Sequence, residues 1–127
     1  MREKEKRHLE AKAYDYDFVN DSIFFYKEGE KYRSSLEFNG IILDFSEDDY
    51  LMNLEMLDVS EKFNVSKSDL LNLKQFNATI NIDKNNIKIT MTMEVLKRNQ
   101  IFAKSMEALT INNMNIPSGT QEIGVIC

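Results

Sequence analysis

With 127 residues, 43% of them hydrophobic and including eight Phe, five Tyr and seven Met, the chain can bury one core and is too apolar for a disordered polymer. Its formal net charge of −5 hides a division, because Tyr14 to Phe63 holds thirteen acids against four bases, net −9, while the segments on either side are each about +2. An acidic body of that kind repels phosphate backbones, the one cysteine (Cys127) allows neither an intrachain disulfide nor a thiolate metal cluster, and no run of ~20 apolar residues is present, so the expectation is a cytoplasmic protein without nucleic-acid or membrane partners.

Residues 2–12 (REKEKRHLEAK) space Glu3 from Arg7 and Lys6 from Glu10 as weak i,i+4 pairs, which predicts a charged, frayed helical lead-in over 1–12 with His8 an ordinary exposed histidine. From Ala13 the period becomes two. Tyr14, Tyr16 and Phe18 alternate with Asp15 and Asp17, Asn20-Asp21-Ser22 supplies a turn, and Ile23 to Tyr26 completes a hairpin ended by Glu28-Gly29-Glu30. Tyr32 to Phe38 alternates again, Asn39-Gly40 is a strong hairpin signal because both residues tolerate positive φ, and Ile41 to Leu43 reads as a buried strand. After the polar stretch Asp44 to Asp49, Leu51 to Leu57 resumes an apolar strand.

Asp58 to Lys74 carries two helix starts, at Ser60 and at Ser66, the second a capping box closed by Asp69, with Leu70, Leu71 and Leu73 as its packing face. Phe76 to Ile82 and Ile87 to Val95 then alternate cleanly across Asp83-Lys84-Asn85-Asn86, predicting a long amphipathic hairpin whose apolar face needs a cover. Leu109 to Ile116 alternates and slips phase at Asn112-Asn113; Pro117 ends it, and Glu122 to Cys127 is an edge strand or a tail. The expected fold class is α+β: about eight mainly antiparallel strands with one or two short helices near 60–74. The chain is expected to be one domain, divided into the lead-in, an acidic meander over 14–63, a helix and hairpin over 64–116, and a tail over 117–127.

The chemistry-bearing residues do not assemble a catalytic set. One histidine in a poorly anchored segment rules against a histidine-based triad, and glycines at 29, 40, 119 and 124 make no phosphate loop, so neither an enzymatic role nor a cofactor is expected. Asp44, Asp48 and Asp49 place oxygens that a hard cation accepts, but without the glycine and the later glutamate of a calcium loop they read as a solvated turn. The aromatics Tyr14, Tyr16, Phe18, Phe24, Phe25, Tyr26 and Tyr32 are interleaved with acids rather than with Arg and Lys, which assigns them to the core instead of to a base-stacking platform.

Three motifs taken in order, Tyr16-Asp17 with Asn20-Asp21-Ser22-Ile23-Phe24, Gly40-Ile41-Ile42-Leu43-Asp44, and Leu54-Glu55-Met56-Leu57-Asp58-Val59-Ser60, resemble the prokaryotic family called domain of unknown function 2283 over about Tyr14 to Phe63. The family supplies no catalytic residues to carry over. Its shared positions fall on Asp17, Asp21, Asp44 and Glu55, which serve either as a site or as turn and strand-end acids. The resemblance permits an antitoxin-like role in which an acidic protein masks a basic one. The leading expectation is therefore a non-enzymatic protein-protein interaction module with a basic partner. The alternatives are a divalent-cation or small-ligand domain, and a homodimer joined through the Phe76 to Val95 hairpin.

Overall fold

The computed structural model describes residues 7–10, 13–26 and 31–126. Strands β1 (Arg7–Glu10), β2 (Ala13–Asp17), β3 (Ser22–Tyr26), β4 (Tyr32–Phe38), β5 (Ile41–Ser46) and β6 (Leu51–Met56) precede two one-turn helices, α1 (Val59–Phe63) and α2 (Lys67–Leu70). Strands β7 (Leu73–Ile82), β8 (Asn86–Lys97), β9 (Gln100–Ile111) and β10 (Gly119–Ile126) follow. They form two five-stranded sheets, ordered β2-β3-β6-β5-β4 and β1-β10-β7-β8-β9.

Period two explains both sheets. In the first, Ile23, Phe25, Ile41, Leu43, Phe45, Leu54 and Met56 all turn to one side and are buried. In the second, the alternating residues of the β7–β8 hairpin from Phe76 to Val95 do the same. The two inner faces close on each other, with the Phe25 and Phe76 rings stacked at 4.0 Å between centroids, so one hydrophobic cluster joins both sheets. The apolar face of the β7–β8 hairpin is thus covered from within its own chain, which removes the reason for a dimer through that face.

The turns are those the residues dictate. Asn39 and Gly40 both take positive φ, 52° and 72°, as a two-residue hairpin turn requires, and a Cβ on Gly40 would stand 3.1 Å from the Lys62 Nζ. The Ser66–Asp69 capping box forms in both directions at α2. Leu70 is buried, but Leu71 is 62% exposed, and Leu73 is buried as the first residue of β7 rather than as part of a helix face.

Three expectations are corrected. In place of the N-terminal helix over 2–12, Arg7–Glu10 pair parallel with Gln121–Gly124, since an open sheet edge satisfies the backbone of a segment with too little apolar surface to anchor a helix; residues 2–6 and 11–12 lie outside the described ones. Glu28-Gly29-Glu30 and Cys127 lie outside them as well. Strand β10 is neither edge nor tail: it pairs with β1 on one side and β7 on the other, with Ile123 fully buried. The last long strand runs over Gln100–Ile111 rather than Leu109–Ile116 and is reached through a turn in which Arg98 and Asn99 both have positive φ. The phase slip at Asn112 has a cause: its buried side chain donates to the Asp83 and Ile116 carbonyls, 2.9 Å each, and accepts from the Ile116 N–H.

Candidate functional site

The four family-position acids do not converge. Asp17 ends β2 and organises the next turn, accepting from the backbone N–H groups of Val19 and Asn20 and from the Asn20 side chain at 2.7 Å. The hydrogen bonds from Asn20, backbone and then side chain, lower its pKa below the usual carboxylate value. Asp44 faces outward on β5, where the Ser35 hydroxyl donates to it at 2.6 Å and the Asn53 amide at 3.1 Å.

Asp21 has a structural role. It sits at φ 53°, is buried, and receives hydrogen bonds from the Tyr16 hydroxyl (2.8 Å), the Ser60 hydroxyl (2.6 Å) and the Ser60 N–H (3.2 Å), while its carbonyl accepts the Val59 N–H at 3.1 Å. The flanking Asp58 makes no side-chain cap, so Asp21, from thirty-nine residues earlier in the chain, satisfies the orphan donors at the start of α1. Burial first, then the hydrogen bond to Asp21, pushes the Tyr16 phenol well above its ordinary pKa of 10.0.

Glu55 is different. It projects from the central strand β6 onto the outer face of the first sheet, half-buried, with no hydrogen-bond or ion-pair partner among the described residues. In register it stands between Phe24 on β3 and Ile42 on β5, which are flanked in turn by Asp15 on β2 and Glu37 on β4. One row across all five strands therefore reads Asp15, Phe24, Glu55, Ile42, Glu37. The neighbouring row reads Ala13, Tyr26, Asn53, Asp44, Ser35. Phe24 and Tyr26 stack on this face at 5.2 Å between centroids.

The expectation that all seven N-terminal aromatics are core is corrected accordingly. Phe25 belongs to the core, and Tyr14, stacked on it, and Tyr16 pack against that core half-buried. Phe24 and Tyr26 lie on the outer face, Tyr32 is exposed with its hydroxyl bonded to Ser35, and Phe18 lies exposed beneath the Lys67 ammonium at 5.3 Å. Alternation carries neighbouring aromatics to opposite faces, so a run such as Ile23 to Tyr26 cannot all be buried by one layer.

The proposed cation ligands separate in the same way. Asp49 is buried in an ion pair with Arg33 at 2.6 Å, Asp44 is held by its two donors, and Asp48 is exposed on the turn. Among the described residues no three His, Cys, Asp or Glu side chains are grouped to hold a metal ion. No helix among them is long and apolar enough to cross a membrane.

The geometry defines a two-layer β-sandwich in which one sheet keeps an outer face, covered by no other described element, of carboxylates interleaved with aromatic and aliphatic side chains. The family model described as "Protein of unknown function (DUF2283)" matches residues 13–60, and the chain belongs to that family. It is similar over nearly its whole length to two archaeal proteins. A Methanosarcina mazei protein that carries the provisional name hypoxanthine phosphoribosyltransferase is 52% identical over 90% of this chain and 93% of its own length. An uncharacterised protein of Methanocaldococcus jannaschii is 35% identical over 87% of this chain and 96% of its own. No solved structure matches.

Proposed function

We propose that the protein is a non-enzymatic interaction module whose outer first-sheet face receives a basic protein partner. The row Asp15, Phe24, Glu55, Ile42, Glu37 carries this reading. Strands about 4.8 Å apart place the backbones of neighbouring acids in the row about 10 Å from one another, and among the described residues no three such side chains are grouped to hold a metal ion. That spacing suits separate Lys or Arg side chains, such as those two turns apart on a helix, about 10.5 Å. Apolar groups alternate with the charged ones, the mixed polar and apolar composition of a non-obligate protein interface.

The name of the Methanosarcina relative asks for a site for a phosphorylated ribose. The carboxylate face repels phosphate, and the glycine pair at phosphate-loop spacing, Gly119 and Gly124, lies within strand β10 and is followed by Val125-Ile126 instead of Lys-Ser or Lys-Thr, so that activity is not carried over here. The test is retention from a lysate of the native source at low salt, comparing the wild type with Asp15→Asn/Glu37→Gln/Glu55→Gln. The expected result is a basic protein held by the wild type, released by salt and lost in the triple variant. Identical retention by both proteins, or no retained protein, would sink the reading.

A further inference from the structure

At the opposite charge extreme, the turn between β8 and β9 and the link between α1 and α2 line a half-open cavity of about 280 Å³. Its apolar walls are Val65, Val95 and Phe102, and its cations are Lys97, Arg98 and Lys104. Among the described residues only Lys97 has a carboxylate, the Asp69 that closes the α2 capping box and also lines the cavity, at 3.7 Å. Arg98 and Lys104 make no ion pair or hydrogen bond among the described residues.

Lys104 is the unusual member. It pairs in register with Met93, which is buried, so the same side of the sheet that carries the core carries this ammonium, half-buried and without an ion pair among the described residues. Buried charge is normally matched, because leaving water without a counter-charge is costly. Phe102, two residues earlier on the same side of β9, keeps its ring 41% exposed at the cavity. Arg98 adds a second free cation from a positive-φ turn position that Asn, Asp or Gly fills more easily.

We propose that this cavity binds a small aromatic anion, its carboxylate or phosphate held by Lys104 and Arg98 and its ring against Phe102 and the two valines. The volume fits: an apolar cavity of about 150 Å³ takes up benzene, and the remainder holds an anionic group. An inward lysine on an open edge strand also hinders pairing with another chain, but that role needs neither the cavity nor Arg98.

The experiment is amide-resolved NMR titration of the full chain with benzoate and phenyl phosphate, with benzamide and inorganic phosphate as controls. Both aromatic anions are expected to saturate, shifting residues near Phe102 and Lys104, and whichever is tighter identifies the anionic group. Benzamide is expected not to bind, and inorganic phosphate to bind more weakly than phenyl phosphate. Lys104→Gln and Arg98→Gln should each weaken binding about tenfold or more, the loss expected for a hydrogen bond to a charged group. Arg98, exposed on a hairpin turn, can be changed without touching the core should Lys104→Gln fold poorly. No saturation by either aromatic anion at millimolar concentration overturns the proposal. So does wild-type affinity in Arg98→Gln, or equal binding of benzoate and benzamide.

Discussion

Replacing Asp21 by Asn tests whether the family-position acids are structural. The substitution keeps the size and the tolerance for φ 53°, but presents an NH2 where an acceptor now faces the Tyr16 hydroxyl, the Ser60 hydroxyl and the Ser60 N–H. A hydrogen bond to a charged group contributes about 1.5–3 kcal/mol, and the remaining Oδ1 preserves part of the set, so the loss should be about 3 kcal/mol. For a chain of this length that lowers the melting temperature by about 10–15 °C. Thermal and urea unfolding at pH 7 measure it. Tyr16→Phe and Ser60→Ala, each removing one donor side chain, should cost less, and in a double-mutant cycle with Asp21→Asn they should fail to add. An Asp21→Asn protein melting within about 2 °C of the wild type would refute the assignment, since a buried network of this kind cannot lose its acceptor so cheaply.

Two further outcomes follow from buried partners. Gln121 on β10 is buried, donating to the Asp49 carbonyl at 3.0 Å and accepting from the Leu51 N–H at 2.7 Å. Gln121→Ala should cost about 2–4 kcal/mol and accelerate exchange of the Leu51 amide, measured by hydrogen exchange; unchanged Leu51 protection would contradict the role. Because the Tyr16 pKa is raised in the fold, the folded state holds its proton after the unfolded chain has released it. The stabilisation is therefore complete below about pH 10 and declines as pH rises beyond it. A spectrophotometric phenol titration should show an ionisation step above pH 10 that Tyr16→Phe removes.

Most of the strands were legible because one face of each is buried. Tyr14 to Asp17, Ser34 to Phe38 and the Phe76 to Val95 hairpin alternate in sequence as they alternate in space, Ile23 to Tyr26 and Ile41 to Leu43 are short apolar runs, and Asn39-Gly40 and Ser66 to Asp69 mark their turn and cap by local chemistry alone. Strand β9 was not legible. Ile101, Leu109 and Ile111 lie on its outer side and Phe102 and Met106 on its inner side, which erases period two, and Ala103 to Leu109 is composed largely of good helix formers. Its strand state comes from pairing with β8 along its whole length.

The candidate face was half legible. The acidity of Tyr14 to Phe63 is plain in the composition, and Glu55 was singled out by a motif, but Asp15 and Glu37 were not, because a row across five strands exists only once register is set. The cationic cavity gave no sequence signal, since its residues come from three segments brought together by packing. The sequence by itself determined where the chain runs extended, where it turns and which side of most strands is apolar, because those depend on neighbours in the chain. Only the tertiary structure decided which strands pair, that β10 lies inside a sheet with β1 parallel beside it, and that Asp21 caps a helix while Glu55 has no partner among the described residues, because each depends on residues distant along the chain.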